Sequence, residues 1–366
     1  MIGGAVFPVC LILLTNKIRD SAPETFRFFA EQGVSIRVIS GDNPATVSRI
    51  ALDAGVAGAE KYIDASTLKT ERNIRRAAAD YTVFGRVTPD MKRRLIRALR
   101  AEGHTVAMTG DGVNDVLALK AADCGIAMAS GSDVACHVAQ LVLLDSDFAA
   151  MPAVVLEGRR VINNIERSAS LFLVKNIFSF AVPLLGLLFT LSYPMTLIQL
   201  SLFNVMFIGI PSFVLALEPN KEQVRGRFLA NVLLNALPAG LTDLAVITGL
   251  MFLGERYAIG GAALSTMAVI VIAFVGQLML LKVSLPLNRL RRAMVIAMPL
   301  GFTLGAVLLA KLFNMAALSG REALITALVC LACVPLMLAL CWAVARLKNA
   351  LHFDRKVKTR ARRVRI

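Results

Sequence analysis

Acidic residues are scarce in this 366-residue chain: 25 Asp and Glu stand against 40 Lys and Arg, and only 18% of residues are charged. Aromatic residues are few as well, with one Trp and four Tyr. The three His residues, His104, His137 and His352, are isolated, so none pairs with another at metal-ligand spacing. Six Cys are too scattered for a disulfide framework. Cys330 and Cys333 form a CxxC spacing, but no second pair and no His follows, so they read as small buried hydrophobes. No positively charged leader or cleavage pattern precedes Val9 to Thr15, and that apolar run is expected to be a buried strand rather than a signal peptide.

The excess is apolar. Hydrophobic residues make up 57% of the chain, with a mean hydropathy of +0.67, which excludes both a disordered polymer and a single compact soluble domain. They are unevenly spread: residues 1–157 read as a soluble domain, 158–345 as a membrane domain and 346–366 as a basic tail. Six stretches, near 171–191, 195–217, 229–253, 258–281, 293–313 and 323–345, each suffice to cross a hydrocarbon core, which takes about 20 helical residues. Lys221, Arg225 and Arg227, then Lys282, Arg289, Arg291 and Arg292, then the tail, alternate with connections that hold few basic residues. The positive-inside rule therefore places the soluble domain and the carboxyl terminus in the cytoplasm. The tail carries nine Arg or Lys against one Asp, just over half of the net charge of +15. Following an apolar helix and lacking interleaved aromatics, it suits the anionic face of a lipid bilayer and not nucleic acid.

The soluble part alternates short apolar runs with amphipathic segments: Val9 to Thr15, a helix over Ala22 to Gln32, Val34 to Ser40, a helix over Pro44 to Ala54. Val83-Phe84, a helix over Pro89 to Glu102, Thr105 to Met108, a helix over Val113 to Ala122, Cys124 to Met128 and Leu141 to Leu144 continue the pattern. This predicts an α/β, Rossmann-like domain with a parallel sheet, whose ligands bind at the carboxyl ends of the strands. Ser40-Gly41-Asp42 follows one such strand and precedes a helix opened by Pro44, so a hydroxyl, pliable backbone and helix amides converge where a phosphoryl group would fit. Thr109-Gly110-Asp111-Gly112-Val113-Asn114-Asp115 places two carboxylates and a carboxamide in one strand-to-helix turn; oxygen ligands of this kind suit magnesium. Lys92, in the first turns of the helix from Pro89, adds a point cation near that rim.

The run from Thr109 to Met128 resembles the hinge motif of P-type cation-transporting ATPases. Arg19, Ser40-Gly41-Asp42 and Arg86-Val87-Thr88-Pro89-Asp90-Met91-Lys92 are similar to the same pumps' phosphorylation domain, in the same order, a domain with a haloacid-dehalogenase-like fold. Gly158 to Ile165 resembles the stalk of their fifth membrane helix, and Phe203-Asn204 through Pro211 the sixth. The resemblance implies ATP as substrate and Mg2+ as cofactor: Asp111 and Asp115 at the magnesium, Asn114 holding the turn, Ser40 and Lys92 on the phosphate with Gly41 and Asp42 beside them, and Arg86 near the nucleotide.

The family's nucleophilic Asp, within Asp-Lys-Thr-Gly-Thr, does not occur in this sequence, nor does the Thr-Gly-Glu of its actuator domain. The chain is therefore expected to be a fragment of a longer pump, with truncation favoured because Met1 opens just ahead of a core strand, or one half of a split pump completed by an amino-terminal chain. The rival readings are a non-catalytic membrane subunit or relic and a membrane-tethered phosphatase; the latter needs an Asp where the first strand is followed by Asn16. Asn16 also replaces the family's usual Asp partner for Arg19, and Ser40 its usual Thr.

Intramembrane polar groups mark the expected pathway of the transported cation. Lys175, Asn176 and Ser179 lie within one helical turn of the first span, and Asn204 lies one turn before Ile208 in the second, where Gly209 and Pro211 can loosen the helix. Calcium pumps carry acidic residues where this chain has Ser179 and Ile208, whereas Lys175-Asn176 resembles the Lys-Asn of gastric proton/potassium pumps. Gln199, Asp243 and Gln277 are further candidates, for each of which an interhelical hydrogen bond is the competing explanation.

Overall fold

Three α-helices of the soluble region start where a side chain caps the free amides. Asn43 accepts from the Ala45 amide to open α2 (Pro44–Asp53), Thr70 from Asn73 to open α3 (Glu71–Asp80), and Thr88 from Met91 to open α4 (Pro89–Ala101). The computed structural model describes residues 17–189, 193–224 and 226–350. The predicted strand Val9 to Thr15, Asn16, Ser192, Arg225 and the tail from Leu351 lie outside the described residues. The chain divides between Val155 and Leu156 into two compact units.

In the first unit, α1 (Ala22–Glu31) precedes β1 (Val38–Ile39), and β2 (Tyr62–Asp64) and β3 (Val83–Gly85) flank α3. After α4 come β4 (Ala107–Gly110), α5 (Val116–Ala121), β5 (Cys124–Met128), α6 (Asp133–Val138) and β6 (Leu141–Leu143). Every pairing is parallel, as expected, but the described strands form two three-stranded sheets, β1-β3-β2 and β4-β5-β6, instead of one. β3 and β5 are the central strands, and the outer edges of β1 and β4 have no strand partner among the described residues. Ile74 and Ala77 of α3 pack with Leu95 and Ala98 of α4 over Phe84, while Leu119, Met108 and Ala127 fill the core of the second sheet. Ile39 and Leu99 contribute to both clusters, so α4 and β1 lie at the seam between the sheets.

Two elements are shorter than their apolar patterns. The run Val34 to Ser40 contributes only the two residues of β1, and Val34 is exposed. The helix expected from Val113 to Ala122 opens as a 3-10 turn over Val113–Asp115, because Asp115 folds back onto the Gly112 amide before α5 begins.

In the membrane unit, α7 (Met151–Phe189), α10 (Phe228–Arg256), α11 (Gly261–Ser284), α12 (Arg289–Leu308) and α13 (Gly320–Ala350) carry five of six segments long and apolar enough to cross a membrane. The sixth is composite: α8 (Leu197–Phe203), a π-helical turn over Asn204–Gly209, and α9 (Ile210–Ala216). α12 stops five residues short of the expected 313, and α13 runs five residues into the expected tail. Met267, Ile272 and Met279 of α11 are fully buried, with α10 and α13 packed against them. At one end of the unit a charged network closes three segments: Glu218 accepts from Arg291 Nη2 at 2.6 Å and Nε at 2.9 Å, from Arg167 at 3.1 Å, and from Asn288.

Candidate functional site

The loops after β1 and β3 lie side by side because these paired parallel strands point their carboxyl ends the same way, and α4, which follows the loop after β3, reaches the turn after β4 through Lys92. The backbone straps the first two together: Arg86 N donates to Asp42 O at 2.8 Å and Val87 N to Ser40 O at 3.0 Å. Within its loop the Ser40 hydroxyl donates to Asp42 Oδ2 at 3.0 Å and accepts from the Asp42 amide at 3.2 Å, while Gly41 is exposed. Arg86 has a φ of 52°, a left-handed conformation uncommon outside glycine. Its guanidinium reaches Asp64 at 2.8 Å. Asp64 also accepts from the Ser66 hydroxyl and amide, and these bonds, with Arg86, hold its carboxyl below the usual carboxylate range.

In the turn after β4, Lys92 of α4 donates to Asp115 Oδ1 at 2.7 Å, with side-chain exposures of 14% and 10%. Sequence reading gave Lys92 a phosphate and Asp115 a metal; the structure adds that they are bound to each other. Asp115 Oδ2 accepts from the Gly112 amide at 3.4 Å. Gly110 is required here, since a Cβ on it would lie 2.6 Å from the Asp115 side chain. Asp111 and Asn114 are exposed, and neither side chain makes a hydrogen bond or ion pair among the described residues. The Asp111 backbone is clamped from the far side: Ser132 N donates to its carbonyl at 2.7 Å, and a Cβ on Gly131 would overlap that carbonyl. This Gly131-Ser132 clamp was not singled out in the sequence, where a lone Gly-Ser reads as an ordinary turn.

The turn thus combines an exposed carboxylate on a fixed backbone with a buried ammonium–carboxylate pair one turn away. Asp111 offers the free hard oxygens that magnesium takes, with room for waters, so the residues fit that ion. Among the described residues no cluster of three or more His, Cys, Asp or Glu could hold a metal. Arg19 pairs with Asp147 at 3.3 Å.

In the membrane unit, Lys175 and Ser179 of α7 are half-buried and Asn176 is exposed, and none has a side-chain partner among the described residues. Phe178 meets Phe203 of α8 with ring centroids 6.2 Å apart, which sets Ser179 and Asn204, their chain neighbours, at one level. Asn204 opens the π-helical turn, its Oδ1 is buried without a partner, and Ile208 is buried one turn on. A π-turn leaves a carbonyl without its usual i+4 donor, a recurrent feature of functional helices. Of the further candidates, Gln199 is fully engaged: Nε2 donates to Asn314 O at 2.9 Å, and Oε1 accepts from the Thr196 amide and Ser265. Gln277 donates to Val295 O at 2.8 Å but its Oε1 is unpartnered, and both oxygens of Asp243 are buried without a partner.

A haloacid-dehalogenase-like unit joined to six membrane-capable helices defines a class of membrane proteins whose soluble part handles phosphoryl groups. The haloacid dehalogenase-like hydrolase family model matches residues 4–123. The calcium-transporting ATPase CtpE of Mycobacterium bovis is 43% identical over 315 residues, 82% of this chain and 39% of the relative. CtpE of Mycobacterium tuberculosis is 46% identical over 70% of this chain and 33% of its own length. The probable cation-transporting ATPase exp7 of Streptococcus pneumoniae is 38% identical over 79% of this chain and 38% of its own. The chain is a multi-pass membrane protein that belongs to the P-type cation-transporting ATPases, matching their carboxyl-terminal region. It spans between a third and two fifths of the length of these three relatives.

Proposed function

We propose that this chain is the carboxyl-terminal part of an ATP-driven cation pump working through an aspartyl-phosphate cycle, with its soluble unit and carboxyl terminus in the cytoplasm. The observation that carries the reading is the pair in which Lys92 of α4 is fixed to Asp115 of the Thr109–Asp115 turn at 2.7 Å, while the loop that leads from β3 into α4 is strapped to Ser40 and Asp42. Phosphoryl transfer needs chiefly alignment and charge neutralisation. Asp111 supplies the oxygens for magnesium, which neutralises phosphate charge when bound. Asp115, with both oxygens engaged, acts on that ion through the turn it closes and holds the Lys92 ammonium toward the phosphate. Ser40 donates to a phosphate oxygen once it exchanges Asp42 for it; Gly41 leaves the approach open, and Asn114 is carried, exposed, on the turn that Asp115 closes. Arg86 lies toward the nucleotide.

The phosphorylated Asp comes from a segment outside these residues, in a longer chain or in a complementary amino-terminal half. The cation passes near Lys175, Asn176, Ser179, Asn204 and Ile208. Calcium is the first ion to test, since the two CtpE relatives are named for it, although Ser179 and Ile208 stand where calcium pumps have acids.

With a complementary half supplying the acceptor, Asp111→Asn is expected to reduce magnesium-dependent phosphoenzyme formation from ATP by at least about 100-fold, as removal of one electrostatic partner does elsewhere. Undiminished phosphorylation would remove the role given to Asp111. The DNA upstream of Met1 should encode the Asp-Lys-Thr-Gly-Thr half in frame or in a neighbouring gene; finding neither favours a non-catalytic relic.

A further inference from the structure

Six stretches of this chain are apolar enough to span, and across 171–191, 195–217, 229–253, 258–281, 293–313 and 323–345 there is a single acidic residue, Asp243. It sits in α10, is 0% exposed, and neither carboxylate oxygen has a hydrogen-bond partner among the described residues. Nothing on its own helix serves it: the Thr242 hydroxyl is committed to Pro238 O at 2.7 Å. Around it are the fully buried Ala239 and Ile247 of α10 and Cys333 of α13, whose thiol is bonded to Val329 O at 3.2 Å. An ionised, unpaired carboxylate cannot persist in such a site; it carries a proton or it holds a cation.

The level of Asp243 in the bundle is that of the pathway. One turn before it, Gly240 packs against Ile177 of α7, the residue after Asn176. On the neighbouring α11, Gly276 packs against Phe203 and Phe207, which bracket Asn204 in the chain, and Gln277 follows with its own unpartnered oxygen. The other titratable groups on the packed elements do not pair with it. Cys333 and Cys330 are thiols on α13, Lys282 at the end of α11 donates to Asn235 O at 3.0 Å, and Lys175 on α7 has no recorded ion pair.

We propose that Asp243 is the proton-exchanging carboxyl of the cation pathway. With no cation bound its O–H bond is intact and the site is neutral. When a cation enters beside it, that bond breaks, the proton leaves to water, and the carboxylate left behind balances one positive charge. The inference rests on the cation-transport reading above. It gives the pathway the carboxylate that Ser179 and Ile208 do not supply.

The test uses the full chain in vesicles of phosphatidylethanolamine and phosphatidylglycerol, followed by infrared difference spectroscopy at neutral pH. A protonated carboxyl there shows a carbonyl stretch separate from ionised carboxylates. One such band is expected in the wild type, absent in Asp243→Asn, shifted in Asp243→Glu, and lost on adding Ca2+, Na+ or K+ with proton release to a pH dye. Asn is isosteric with the neutral acid, and the wild-type response to cations stands even if a variant misfolds. A wild type without the band, or a band that survives Asp243→Asn, overturns the proposal. So does a band that none of the three cations changes. Radiolabelled calcium and rubidium binding to the same vesicles separates the two failures. Binding with an unchanged band sinks the role of Asp243 alone, whereas no binding and no change count against the cation reading as well.

Discussion

Replacing Lys92 by Met leaves the Asp115 carboxylate in a pocket where only the Gly112 amide, at 3.4 Å, still reaches it. The pair is short, 2.7 Å, and its side chains are only 14% and 10% exposed, so solvent screens it weakly. Removing one member of such a pair costs about 3–5 kcal/mol, much of it the strain of an uncompensated buried charge. Asp115→Asn should cost about as much, since it strands the ammonium. The double variant Lys92→Met/Asp115→Asn removes both charges, so its loss should fall short of the sum by about 2–3 kcal/mol, the signature of direct coupling. Hydrogen–deuterium exchange of the 112–121 amides in the detergent-solubilised chain reads this locally. A loss of about 3 kcal/mol raises exchange roughly 150-fold in each single variant, at about 1.4 kcal/mol per decade. Coupling below about 0.5 kcal/mol, the scatter of independent sites, would refute the claim that Lys92 and Asp115 act as one unit.

Glu218→Gln should loosen the junction of α7, the segment after α9 and the start of α12, because Arg167 and Arg291 both lose their carboxylate. A loss of about 3–5 kcal/mol follows from its burial, visible as a lower detergent melting temperature; an unchanged melt would show the network to be dispensable. Asp64 has a carboxyl held below its ordinary range, so its contribution is present above the unfolded-state value of about 3.8 and lost as pH falls through the lower folded value. Asp64→Asn should therefore flatten the acid limb of β2–β3 amide protection while leaving the Lys92–Asp115 turn unaffected, and an unaltered acid limb would contradict it.

Much of the soluble unit was legible because its signals are local. Pro at the first turns of α2 and α4 and the apolar run Cys124–Met128 each act over a few residues, and those elements fall within a residue or two of expectation. Pairing is not local. The alternation of strands and helices predicts parallel order, yet the division into two sheets depends on which strands reach each other, and the strand expected at Val9 to Thr15 lies outside the described residues. In the membrane unit hydropathy located the spans, but it has no term for the π-helical turn at Asn204–Gly209. The same holds for Lys92 and Asp115: each was singled out by its type and place, and their bond, across 23 residues, exists only in the fold.

By itself the sequence determined the two solvents of this protein, the parallel α/β character of its soluble part, the six spans and the oxygen-rich turn at Thr109–Asp115. These rest on composition, on period and on spacing within a few residues, all of which a linear chain displays. Only tertiary structure decided which polar groups are satisfied. Gln199 and Asp243 look alike as isolated polar residues in apolar runs, yet one is bonded at both ends of its amide and the other at neither oxygen. The physical reason is that hydrogen-bond satisfaction is a property of what surrounds an atom in space, and the partners of Gln199 come from residues 196, 265 and 314.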